Sequence, residues 1–332
     1  MAKLTFGTIA NPSFFNFAGR KAIRWNTVGI KRQVTVCIVC LCAVVATLRA
    51  QSGEGTSSSA AEEQVRRVVS QLKELNPGYD GKERHKIKDG MVTELSFSTE
   101  AVSNISPVRA LTGLQSLDCS APWWTKKGIL ADLSSLKGLP LHKLNCGSNP
   151  QIKDLSPLQG MPLTDLEISL TSVSDLSPLQ GMQLSKLLII GSNKISDLSP
   201  LKGMPLVYLD IAHTSVGDLS PLQGMPIAWL DANDTKVTNL APLQGMPLTS
   251  LRLPKTKIPD LSPLKGMPLT GLAFFGTTVS DLSPLKDLPL KTIYIDFVSA
   301  RDAVILHSIK TLEKINGMPV AEFWNKPENQ AR

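Results

Sequence analysis

The sequence predicts an α/β repeat fold: a solenoid with a parallel β ladder of about ten strands, short 3₁₀ turns on its convex side and helical caps at both ends. The first observation is a recurring phrase whose commonest form is Asp-Leu-Ser-Pro-Leu-Gln/Lys-Gly-Met-Pro-Leu. It starts at Asp132, Asp154, Asp175, Asp197, Asp218, Asn239, Asp260 and Asp281, in steps of 22, 21, 22, 21, 21, 21 and 21 residues, with a degenerate copy at Asn104. The second is the aliphatic spacing inside each unit, as in Leu163, Leu166 and Ile168, where the last two lie two apart and share one face of a short strand. The third is coil size, since 21 or 22 residues leave no room for a long helix on the return side.

Taken from the N-terminus, residues 1–50 hold seven of the 35 basic residues and no acid, so the other 28 basic residues meet 28 acidic ones and the body is neutral. The formal charge of +7 is therefore local, and counterion-release binding to nucleic acid is not expected. Lys31 and Arg32 precede an uncharged run from Val34 to Leu48, which is short of the roughly 20 residues of a spanning helix. It suits the core of a secretory signal cleaved after Ala50, or an uncleaved N-terminal anchor, which would be the chain's one link to a membrane. Cys40 and Cys42 follow Val39 and Leu41 where a lipoprotein signal needs a small residue, so lipidation is not expected. Either way the repeats would be exported.

Residues 51–61 have the composition of a flexible linker. Residues 62–91 form the expected N-terminal cap: Ser59 and Glu62 fit a capping box, Val65, Val68, Val69, Leu72 and Leu75 mark one helical face, and Asp89-Gly90 predicts a hairpin turn into the ladder.

Repeats span 92–295, with ladder strands centred on Leu95, Leu117, Leu144, Leu166, Leu187, Leu209, Leu230, Leu251, Leu272 and Ile293. Nine steps of about 4.8 Å give a sheet roughly 43 Å long. Asn149, Thr171, Ser192, Thr214, Thr235, Thr256 and Thr277 follow at a turn position, where a short polar side chain can bond turn backbone. In Ser177-Pro178-Leu179-Gln180-Gly181, Ser can cap, Pro can open a helical turn and Gly can end it. Residues 296–332 close the array, with Ala303, Ile305, Leu306, Ile309 and Leu312 on a terminal helix.

These phrases resemble the short leucine-rich repeats of the internalin type, and more closely the repeat domains of planctomycete-like bacterial proteins, which often accompany serine/threonine kinase domains. The entry segment Leu72–Gly81, the stretch Ile105–Gly113, the ending Ile315-Asn316-Gly317 and Phe323-Trp324 carry the resemblance along with the repeats, over about residues 62–325. It implies a leucine-rich repeat solenoid, and for function only that such domains recognise varied partners.

No catalytic set emerges. His85, His142, His213 and His307 lack metal-ligand spacing, and kinase signatures are absent, so neither an enzyme nor a cofactor is expected. The aspartate column could collect calcium, but Asn239 keeps the capping oxygen without the charge, which favours backbone capping. Cys119 and Cys146 share an inward position on successive coils; a disulfide is within Cα reach, yet parallel in-register side chains favour free thiols.

Binding is expected on the concave face. The outward residues there include Lys186, Leu188 and Ile190, then Tyr208 and Asp210, then Trp229, Asp231 and Asn233, with Arg252, Phe275 and Tyr294 beyond. Leu188, Ile190, Tyr208, Asp210, Trp229 and Asp231 are the candidate partner contacts. Trp123 and Trp124, in a six-residue expansion of the second coil, either form a further partner or membrane contact or fold back over the convex edge. The expected role is an exported monomer that recognises a protein or peptide without catalysis. Alternatives are a structural component of the cell envelope and a stand-alone relative of a kinase sensor domain.

Overall fold

Thirteen strands form one sheet in strict sequence order in the computed structural model, which describes residues 58–125 and 127–329. The expected signal or anchor (1–50) and the linker up to residue 57 lie outside the described residues. Among those described, no helix is long and apolar enough to cross a membrane.

Helix α1 already runs at residue 58 and continues to 75, so it takes in the last four residues of the segment expected to be linker. Ser59 therefore sits inside the helix and does not cap it. Val65, Val68 and Leu72 are buried as the periodicity predicts, whereas Leu75, on the last turn, is 47 % exposed. Asn76 ends the helix by donating from its side chain to the Leu72 and Asn104 carbonyls, at 2.8 and 2.9 Å. It thereby ties the cap to the first coil. Strands β1 (Glu83–Lys88) and β2 (Met91–Phe97) pair antiparallel around Asp89 and Gly90, whose φ angles of 52° and 73° are those of a type I′ turn.

From β2 to β11 (Thr292–Tyr294) every rung is parallel, and Leu95, Leu117, Leu144, Leu166, Leu187, Leu209, Leu230, Leu251, Leu272 and Ile293 pair in one unbroken register. All ten are at most 2 % exposed, and the return-side leucines such as Leu179 and Leu222 close the same core from the other side. Truncating Leu209, fully enclosed between its neighbours, is expected to cost about 2–5 kcal/mol.

The turn position behaves as its chemistry predicts. Thr171, Thr214, Thr235 and Thr256 each donate their hydroxyl to the carbonyl three residues back, at 2.6–2.8 Å, and all four are buried. Preceding them, Leu170, His213, Asp234 and Lys255 take left-handed backbone, with φ of 51–57°.

Each return segment is one 3₁₀ turn of three residues in the middle coils, for instance Ser177–Leu179. Serine is its first residue rather than its cap, and the residue before it, Leu176, makes no side-chain cap bond. A type II turn follows: Gln180 has φ −55° and ψ 129°, and Gly181 has φ 77°. The last coil has Asp287 in place of that glycine, and its backbone changes accordingly, with ψ of Lys286 at −40°.

Beyond β11 the chain forms α2 (Ser299–Ser308), the strands β12 (Lys314–Ile315) and β13 (Met318–Pro319), and α3 (Val320–Asn325). Ala303 and Leu306 are buried on α2, but the helix ends at Ser308, so Ile309, also buried, and Leu312 lie beyond the helix on which they were expected. The closing hairpin is a feature the periodicity does not announce. It turns on Asn316 and Gly317, with φ of 50° and 81°, and β12 extends the parallel ladder by one rung before β13 reverses it. Asn-Gly is the local signal for this turn.

Candidate functional site

Because the rungs are in register, the side chains between ladder residues stand in rows across the concave face. One row runs Lys186, Tyr208, Trp229, Ser250, and the next runs Glu167, Leu188, Asp210, Asp231, Arg252. Tyr208 and Trp229 are half-buried, and their rings stack with centroids 4.0 Å apart and planes 6° from parallel. That is closer than the rung spacing of about 4.8 Å, so the rings lean into contact. The Lys186 ammonium lies 5.2 Å from the Tyr208 centroid, a cation–π distance. Burial, and then the charges of Asp210 and Asp231, push the Tyr208 phenol up.

Asp210 and Asp231 belong to the concave row but are only 6 % and 8 % exposed. Each folds back to accept the backbone N–H two residues on, from Ala212 at 3.0 Å and Asn233 at 2.9 Å. Arg252 Nε then pairs with Asp231 at 2.8 Å. Burial raises both carboxyls, that of Asp210 to about 6. Leu188 and Ile190 are half-buried apolar flank, Leu188 directly between Glu167 and Asp210. Glu167, which outward register alone would have singled out, is also raised, chiefly by burial.

Trp123 and Trp124 do not fold back over the convex edge; they are 71 % and 69 % exposed and meet edge to face at 5.9 Å. Their loop is held from beneath by Asn149, which is fully buried. Its Oδ1 accepts from Thr99 Oγ1 at 2.7 Å and from Leu130 N–H at 3.2 Å, while Nδ2 donates to the Cys119 and Cys146 carbonyls. Gly128 lies against this hub so closely that a Cβ would fall 2.5 Å from the Ser148 carbonyl oxygen. Trp124 borders a hollow of about 780 Å³ with Phe97, Asp118 and Ser120. Asp118 also lines a second hollow of about 300 Å³ that ends at Glu167 and Leu188. The smaller hollow also reaches Lys186, one rung from Tyr208.

The other candidates resolve into structure. Asp132, Asp154, Asp175, Asp197, Asp218, Asp260 and Asp281 each accept the N–H of the serine two residues on, at 2.7–2.8 Å, and its hydroxyl as well. Asn239 makes the same bond to Ala241 at 2.9 Å. Those bonds hold the carboxyls of Asp154, Asp175, Asp197, Asp218, Asp260 and Asp281 below their ordinary value. Cys119 and Cys146 are buried free thiols, and burial pushes both up, Cys146 to about 12. Among the described residues no group of three or more His, Cys, Asp or Glu could hold a metal ion.

No protein-family profile matches the sequence, and no curated protein does. Among solved structures, an internalin, InlF, from Listeria monocytogenes is similar at 25 % identity with a TM-score of 0.57, over 76 % of this chain and 79 % of that one. The fold is an internalin-type leucine-rich repeat solenoid. Internalin C2 from the same organism aligns at 25 % identity over 69 % of this chain and 92 % of that one, with a TM-score of 0.45. On the internalin-type scaffold assembled here, the stacked rings, the carboxylate row and Arg252 occupy the face of the ladder turned away from the core.

Proposed function

We propose that this protein is an exported, non-catalytic recognition module that binds a protein or peptide on its concave face. The observation that carries the reading is the Tyr208–Trp229 stack: two aromatic rings at 4.0 Å, on the sheet face opposite the leucine core. Aromatic rings placed this way are the usual anchors of interfaces, because they offer large contact area at low entropic cost. Leu188 and Ile190 supply apolar flank, Asp210 and Asp231 supply charge, and the Trp123–Trp124 loop forms an outlying contact at the N-terminal rim.

The test is affinity capture with the wild-type chain and with Tyr208→Ala/Trp229→Ala, followed by affinity measurement on whatever only the wild type retains. The double variant should melt close to wild type and bind at least about thirtyfold more weakly. Unchanged affinity would move the site off these rings. Export is tested separately: mass spectrometry of the native protein should find its N-terminus near Gln51, and an intact Met1 in a soluble cytoplasmic fraction would contradict export.

A further inference from the structure

Asp231 and Asp210 stand on adjacent rungs, but they are not equally provided for. Asp231 has both oxygens engaged, one by the Asn233 N–H and one by Arg252. Asp210 is 6 % exposed and has one oxygen on the Ala212 N–H; among the described residues no donor reaches its second oxygen, and no cation pairs with it. Two rungs back in the same row, the half-buried Glu167 carboxylate has no donor at all among the described residues. Arg252 and His213 act on Asp210 and Lys186 on Glu167, but only from a distance: Lys186 hydrogen-bonds neither acid and turns its ammonium over Tyr208, and Arg252 is committed to Asp231.

Between the two acids stands Leu188, in register with both. Two rung spacings put the two positions about 10 Å apart along the row. A guanidinium carries donors on both of its edges, and its own width plus a hydrogen bond of about 2.9 Å on each side spans roughly that distance. A single ammonium does not. The hollow that ends at Glu167 and Leu188 leaves about 300 Å³ for the approach.

We infer that the concave face takes a basic segment of its partner, with one arginine seated over Leu188 and shared between Glu167 and Asp210, extending the row to arginine, Asp210, Asp231, Arg252. This rests on the concave-face reading and specifies the partner's chemistry within it. Burial holds both carboxyls above their ordinary range, and among the described residues neither has a cation within ion-pairing distance. An incoming guanidinium supplies the missing charge, its stem lies on Leu188, and the neighbouring Tyr208–Trp229 stack packs against the adjoining residue of the segment.

The experiment is selection of a random displayed peptide library on the full chain, followed by synthesis of the enriched peptides with each arginine replaced by citrulline, which keeps the shape and removes the charge. Enriched peptides should share an arginine, and its citrulline form should bind at least about tenfold more weakly. Glu167→Gln/Asp210→Asn should weaken the arginine peptide comparably and leave the citrulline peptide unaffected, which is the coupling a direct contact requires. Enrichment of peptides without basic residues, or a citrulline loss that persists in the double variant, would overturn the assignment. If such peptides still lose affinity for Tyr208→Ala/Trp229→Ala, only the arginine site falls. If they ignore both sets of changes, the concave-face reading falls with it.

Discussion

Two kinds of aspartate recur in these coils and are pulled in opposite directions. On the return side, Asp218 is fully exposed and accepts two hydrogen bonds from Ser220, which lower its pKa. Such a group adds stability above its unfolded value of 3.8 and loses that contribution as pH falls through the depressed folded value. Asp218→Asn keeps the oxygen that meets the Ser220 N–H and should melt close to wild type at pH 7, whereas Asp218→Ala should melt lower. A melting temperature that rises strongly with calcium and falls with chelator would contradict this structural role. Asp210 has the reverse sign. Its folded pKa of about 6 exceeds the unfolded value, so the penalty for its charge is fully present above about pH 6 and disappears below 3.8. Asp210→Asn retains an acceptor for the Ala212 N–H and should raise the melting temperature at pH 8, by a stability gain of roughly 1–3 kcal/mol after screening, with most of that gain gone at pH 4. Thermal melts at the two pH values check it, and a loss of stability at pH 8 would contradict the account of Asp210.

At the scale of the element, the turn after each 3₁₀ segment shows how directly backbone follows one residue. Gly181 has φ 77° with open space where a side chain would go, so Gly181→Ala isolates the conformational cost and should destabilise by about 1–2 kcal/mol in denaturant titrations. The ladder was legible in the sequence to the residue, because every Leu from Leu95 to Leu272 repeats one environment and its neighbours dictate its register. Single-copy features were less so. The β12–β13 hairpin is built from two-residue strands too short for any periodicity, and α1 already runs at residue 58, within a Ser-rich stretch whose composition suggests a linker. The Trp123–Trp124 loop takes its direction from Asn149 and Gly128, contacts made across coils that no local pattern encodes. Gly128→Ala should therefore lower the melting temperature and shift tryptophan fluorescence, since its Cβ would meet backbone. Unchanged emission would show that the loop does not depend on this packing.

For the molecule as a whole, the rows on the concave face could be assigned from outward register, and Tyr208, Trp229, Asp210 and Asp231 do come together there. What register could not tell is which of these side chains are already satisfied: Asp231 by Arg252, Asp210 by one backbone N–H alone, Glu167 by nothing among the described residues. That distinction belongs to side-chain geometry, and it separates scaffold from site. Hydroxyl-radical footprinting of the chain, free and bound to its captured partner, tests the central claim most directly. Oxidation of Tyr208 and Trp229 should fall on binding while the buried methionines of the return side, such as Met225 and Met246, stay unchanged. Undiminished oxidation of both rings in the complex would contradict recognition by the concave face.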